Sequence, residues 1–191
     1  MGDGARMCQH DALSRTCGRR LPSLSGKVFK MLRIVLAAVV ILSTHTLRAE
    51  TPQEWAALGA RVHGGYGAFI PLGIKIGLDA SEKLKAGPRG LTLLYFDNPK
   101  APCACFADGI AIATGASVGQ RSLVVAKDHA PDNAAAVIVI RPRKGGEGLK
   151  YTIPMAALPR LGAINKELAD PVARHEAVMK ADGLFLVETA Q

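Results

Sequence analysis

The chain has 191 residues, 49% of them hydrophobic, and a formal net charge of +8. A charge of that size invites a nucleic-acid partner, yet from Glu50 onward there are 16 Lys or Arg against 14 Asp or Glu, a net of +2. Most of the basicity therefore belongs to the leader, and no aromatic residues interleave with a basic stripe beyond it, which argues against a nucleic-acid surface.

Lys27, Lys30 and Arg33 flank the start of an apolar run from Ile34 to Leu42, and the small Ala49 follows. This is the pattern of a cleavable signal peptide spanning Met31 to Ala49. The run falls short of the ~20 residues a spanning helix needs, so the membrane is met only during export and the expected location is periplasmic or secreted. Residues 1–26 show no apolar periodicity, and Met31 reads as an alternative start. Residues 1–49 are thus leader and signal peptide, and residues 50–191 a single domain with room for one core.

In that domain, Thr51-Pro52 with Glu54 three residues after Thr51 is a helix start of the capping-box kind. Trp55, Leu58 and Val62 follow at helical spacing, and the Gly64-Gly65 pair ends the segment. Ala68 to Ala86 reads as a long helix whose regular part begins near Pro71, with Gly73 and Gly77 leaving a bare strip for another backbone. Gly87-Pro88 stops it. Leu91 to Phe96 reads as a buried strand, Pro99 and Pro102 as a rigid loop, and Cys105 to Gly115 as a buried helix with the cysteines at its N-terminus. Strands are expected at Ser122 to Ala126, Ala135 to Ile140 and Gly148 to Ile153, the last two joined by a turn at Lys144-Gly145-Gly146. Pro154 to Lys166 and Pro171 to Ala181 read as helices, and Leu184 to Glu188 as a closing strand. Helices and antiparallel-looking strands in separate runs give an α+β class, helices packed on a mostly antiparallel sheet.

Cys8 and Cys17 leave with the leader, so Cys103 and Cys105 are the cysteines of the exported domain. Two thiols one residue apart in an oxidising compartment are a bridge, a redox pair or metal ligands. At a helix N-terminus the positive end of the dipole favours thiolate, and Asp108 lies near the same face one turn on. Zinc, or copper second, accepts such S and O ligands together with an imidazole. His63, in the segment Arg61-Val62-His63-Gly64-Gly65-Tyr66-Gly67, can supply that imidazole, and the dense glycines bring backbone close to a ligand, with Tyr66 a candidate contact. Thr114, Gly115, Ser117 and Gly119 close the cysteine helix and offer free N–H groups and hydroxyls for a ligand, although an ordinary helix-to-strand turn has the same composition. His129 and His175 read as solvated surface residues.

These segments together resemble the FmdE-like family of formylmethanofuran dehydrogenase proteins. Its signature is His-Gly-His-x-Cys-Pro-Gly opening a helix, and later Cys-x-x-Asp running into Thr-Gly-x-Thr-x-Gly. Here the first element becomes His63-Gly64-Gly65-Tyr66-Gly67-Ala68-Phe69. The second becomes Cys105-Phe106-Ala107-Asp108, then Thr114-Gly115-Ala116-Ser117-Val118-Gly119, and the likeness covers Trp55 to Val125. The family's second His and its Cys are replaced by Gly65 and Gly67, so the first metal motif is degenerate. The resemblance implies the fold and a ligand-binding cleft. The function expected is an exported metal- or small-ligand-binding domain, accessory to a redox system, with metal ligands His63, Cys103, Cys105 and Asp108. Two other readings stand beside it: a thiol-dependent enzyme using Cys105 with His63, and a homodimeric interaction module that uses the Gly73/Gly77 strip and a Cys103–Cys105 bridge.

Overall fold

The computed structural model describes residues 50–190, so the signal-peptide reading, Met31, Cys8 and Cys17 lie outside the described residues. Helix α1 spans Pro52–His63 and opens on the expected capping box: the Thr51 hydroxyl accepts from the Glu54 amide, and the Glu54 carboxylate accepts from the Thr51 amide at 2.7 Å. Gly64 ends it at φ +85°, a left-handed conformation that glycine adopts without a Cβ clash. Trp55, Ala56 and Gly59 form its buried face. Val62, expected on that face, is 54% exposed because the whole last turn, from Ala60 to Gly65, stands clear of the core.

Helix α2 spans Phe69–Lys83, with Pro71 in the first turn, where no intrahelical N–H is needed. Helix α3 spans Cys105–Thr114. These two helices meet backbone to backbone along the predicted bare strip. A Cβ added to Gly73 would stand 2.9 Å from the Gly109 Cα, one on Gly109 would stand 2.9 Å from the Gly73 Cα, and one on Gly77 would meet the Ala113 Cβ at 2.7 Å. The strip is therefore filled from within the chain, and a homodimer would need a different surface.

The strands are β1 Leu91–Asp97, β2 Leu123–Val125, β3 Ala134–Pro142, β4 Gly148–Pro154 and β5 Leu186–Ala190, hydrogen-bonded in the order β2-β1-β3-β4-β5. Every pairing is antiparallel except β1 with β2. That exception has a simple cause: α3 connects β1 to β2 and carries the chain back along the sheet, which makes the two strands parallel. Helices α4 (Leu158–Glu167) and α5 (Pro171–Lys180) follow β4. The expected helix from Pro154 begins instead as a single 3-10 turn, Met155–Ala157, and β5 starts two residues later than expected because Leu184 is buried in the core, 2% exposed. The class is α+β: the described residues form five α-helices and a five-stranded, mostly antiparallel sheet.

Register decides which residues reach the helices. Val125, Tyr95, Ile138, Tyr151 and Val187 run across the sheet as successive partners, and the middle three are fully buried beneath α2 and its neighbours. The next row, Val124, Leu94, Val139, Lys150 and Glu188, points to the other face, where Leu94 and Val124 are exposed. A one-residue slip would exchange the two rows. The main core lies between the sheet and α2, α3, α4 and α5, with Leu72, Ile76, Phe106, Ile110, Leu161 and Val178 meeting the strand residues. A second, smaller cluster of Trp55, Ala56, Tyr66, Ile70, Ile74 and Cys105 lies under α1. Among the described residues no helix is long and apolar enough to cross a membrane.

Candidate metal centre

The smaller cluster places the candidate ligands. His63 is the last residue of α1 and Cys105 the first of α3, while Cys103 ends the proline-bounded loop leading into α3. A ring nitrogen of His63 and the sulfurs of Cys103 and Cys105 all lie within 4.8 Å of one another. The two cysteines are paired as a disulfide, with Cα atoms 5.3 Å apart. The Cys105 N–H, at the start of α3, donates to the Cys103 sulfur at 3.3 Å. A sulfur receiving that bond at a helix N-terminus is stabilised as thiolate when the pair is reduced.

Asp108 sits one turn into α3 and its Oδ2 accepts from His63 Nδ1 at 2.7 Å. Giving Nδ1–H to the carboxylate leaves Nε2 with its lone pair, the arrangement that suits an imidazole to a metal. Asp108 thus stands behind the imidazole. Tetrahedral zinc, with bonds of ~2.3 Å to sulfur and ~2.0 Å to nitrogen, asks for ligand atoms roughly 3.5–3.8 Å apart. The three donors lie within 4.8 Å of one another, and the two bonded sulfurs must part by reduction of the bridge before they can take that spacing. His63 and Asp108 are half-exposed, which leaves solvent access for a fourth ligand.

Tyr66 is buried in the same cluster as Cys105, and its hydroxyl meets His175 Nδ1 at 2.7 Å. Burial pushes the Tyr66 phenol well above its ordinary range. Thr114, Gly115, Ser117 and Gly119 are not brought to this place. They lie at the other end of α3, about 15 Å away for ten residues at 1.5 Å each. The Thr114 hydroxyl donates to the Ile110 carbonyl at 2.7 Å, Gly115 caps the helix at φ +69°, and Ser117 Oγ accepts from the Gln120 amide at 3.2 Å. Their polar groups build the turn into β2.

Residues 62–184 match the family described as "FmdE, Molybdenum formylmethanofuran dehydrogenase operon". The chain belongs to this family. The FmdE match begins beside His63 and ends at Leu184, so it contains every candidate ligand and extends past Val125 through β3, β4, α4 and α5. Comparison with curated proteins finds no match.

Of the two histidines read as surface residues, His129 is exposed and pairs with Asp97 at 2.8 Å. His175 is not at the surface: it is 4% exposed, on the inner face of α5. Desolvation there lowers its pKa, while nearby Glu176 acts weakly the other way. The signal is present in the spacing. Val172, His175 and Val178 recur every three residues, so His175 continues the stripe that Val178 buries in the main core and that Val172 presses against the smaller cluster.

Proposed function

We propose that this FmdE-family chain is an exported protein, its working domain beginning near Glu50, that binds a transition metal through His63, Cys103 and Cys105. Zinc is the first choice and copper the second. Asp108 orients His63, the open fourth position takes water or a small ligand, and the domain serves as an accessory to a redox system. The observation that carries the reading is the convergence of one imidazole and two sulfurs within 4.8 Å, on elements far apart in sequence. The basic residues and apolar run before Ala49 support export. The reduced, purified protein should hold about one metal per chain by elemental analysis. Cys105→Ala and His63→Ala should each abolish it, and unchanged metal content in both overturns the reading.

The place of Cys105 at the N-terminus of α3 favours a second reading, a thiol-dependent enzyme in which Cys105, freed from its bridge by reduction, is the nucleophile and His63 the base. Rapid alkylation of one cysteine near neutral pH, equally fast with a chelator present, selects this reading over the first. A homodimeric form, if made, would use a surface other than the Gly73/Gly77 strip.

A further inference from the structure

The loop that follows His63 is fastened by groups that do not belong to the ligand set. Residues 64–68 join α1 to α2. The Arg174 guanidinium donates to the Tyr66 carbonyl at 3.2 Å, and the Ala68 amide donates to Asn165 Oδ1 at 2.6 Å. Arg174 is itself set by the Leu168 and Asn165 carbonyls, at 2.5 and 3.2 Å. All of these anchors come from α4, α5 and the link between them.

The Tyr66 side chain is the deepest of these ties. Its ring fills the space beside Gly59 that a Cβ would occupy, on α1 one turn before His63, and it also packs in the cluster that contains Cys105. One ring thus touches the helix that carries the imidazole and the apolar group that surrounds the sulfur. At its far end the hydroxyl meets buried His175. Burial keeps the phenol protonated and the imidazole neutral, so the O–H donates to Nδ1 and the imidazole proton sits on Nε2. Neither side chain is in the ligand set, yet both are buried polar groups whose partners are lost together.

Resting on the metal reading, we propose that Tyr66 and His175 are a positioning pair: their buried hydrogen bond fixes the last turn of α1, and with it the approach of the His63 imidazole to the two sulfurs. Outer partners that orient a metal ligand alter affinity by about 10–100-fold. The pair should act near the lower end of that range, because it works through a ring and a helix turn.

The test is cobalt binding to the reduced, purified protein, followed by its thiolate charge-transfer and ligand-field absorption, with zinc competition giving affinity. Tyr66→Phe keeps the ring and removes the hydroxyl; it should bind cobalt about tenfold more weakly, still one per chain, with a shifted ligand-field band. His175→Leu should do the same, and the double variant should be no weaker than either single one. His175→Asn, whose amide can meet the hydroxyl near the Nδ1 position, should recover most of the affinity and the wild-type spectrum. If His175→Leu does not fold, Tyr66→Phe and His175→Asn still decide the matter. A lower melting temperature in Tyr66→Phe with wild-type affinity and spectrum makes the pair merely structural and overturns the inference, leaving the metal reading in place. Wild-type protein that takes up no cobalt overturns the metal reading and this inference with it.

Discussion

At the scale of single residues, the candidate centre depends on what each polar group is given to do. Asp108 is half-exposed and spends one oxygen on His63 Nδ1 at 2.7 Å. Replacing it by Asn keeps the shape but loses the charge that favours the Nδ1–H tautomer. Asp108→Asn should therefore weaken zinc binding by about 10–100-fold without abolishing it, measured by competition with a chromogenic chelator. An unchanged affinity would mean that Asp108 is a bystander. His175 gives a different signature. Burial lowers its folded-state pKa, whereas the unfolded chain titrates near 6.5. Between these two values the unfolded state binds the extra proton, so stability is fully present above about pH 6.5 and falls as the pH drops toward the lowered folded value. Chemical denaturation from pH 7.5 to 5 should show that fall in the wild type and a shallower one in His175→Asn. Identical slopes would show that His175 carries no such linkage. His63, Cys103, Cys105 and Asp108 are legible in the sequence because their residue types advertise their chemistry. His175 reads as a surface residue there because Arg174 and Glu176 flank it, and charged neighbours mask the three-residue spacing.

At the scale of elements, the contact between α2 and α3 sets the platform for the cysteines. Gly73 and Gly109 face one another with no room for a side chain. Gly109→Ala should destabilise the fold by about 1–3 kcal/mol or more, since the obstruction is backbone and cannot swing aside. Gly119→Ala, with nothing within 4 Å, is the control and should change stability by less than about 0.5 kcal/mol. Equal urea midpoints for the two variants would contradict the close packing. The capping box at Thr51 is worth about 1 kcal/mol, so Thr51→Ala should lower the urea midpoint modestly and loosen the helix that ends at His63. These elements are legible because caps, prolines and glycines act locally. The sheet is less so. The parallel β1–β2 pair, the late start of β5 and the 3-10 turn after β4 all follow from where the chain must go next, which local propensity does not encode.

At the scale of the whole molecule, the centre ties together the end of α1, the loop before α3 and the start of α3, while α4 and α5 hold the loop after α1. Metal bound there stabilises the folded state by mass action, about 2.7 kcal/mol at a hundredfold excess over the dissociation constant. Zinc should therefore raise the melting temperature of the reduced protein, and a chelator should reverse the change. The oxidised protein, its sulfurs joined to each other, should show no such shift. A rise of equal size in both redox states would place the metal away from the cysteines.

The sequence by itself determined most of the elements, the α+β class, the family and the list of ligand types, because each rests on periodicity, turn chemistry or a short motif. It also carries the basic and apolar pattern before Ala49 on which the export proposal rests. Tertiary structure alone decided which of those residues meet. It brought His63 to Cys103 and Cys105 across some forty residues, put Asp108 behind the imidazole, and left Thr114 through Gly119 at the far end of the same helix. It also buried His175 against Tyr66. Such contacts depend on strand order, register and helix packing, which fix distances between segments that no local pattern relates.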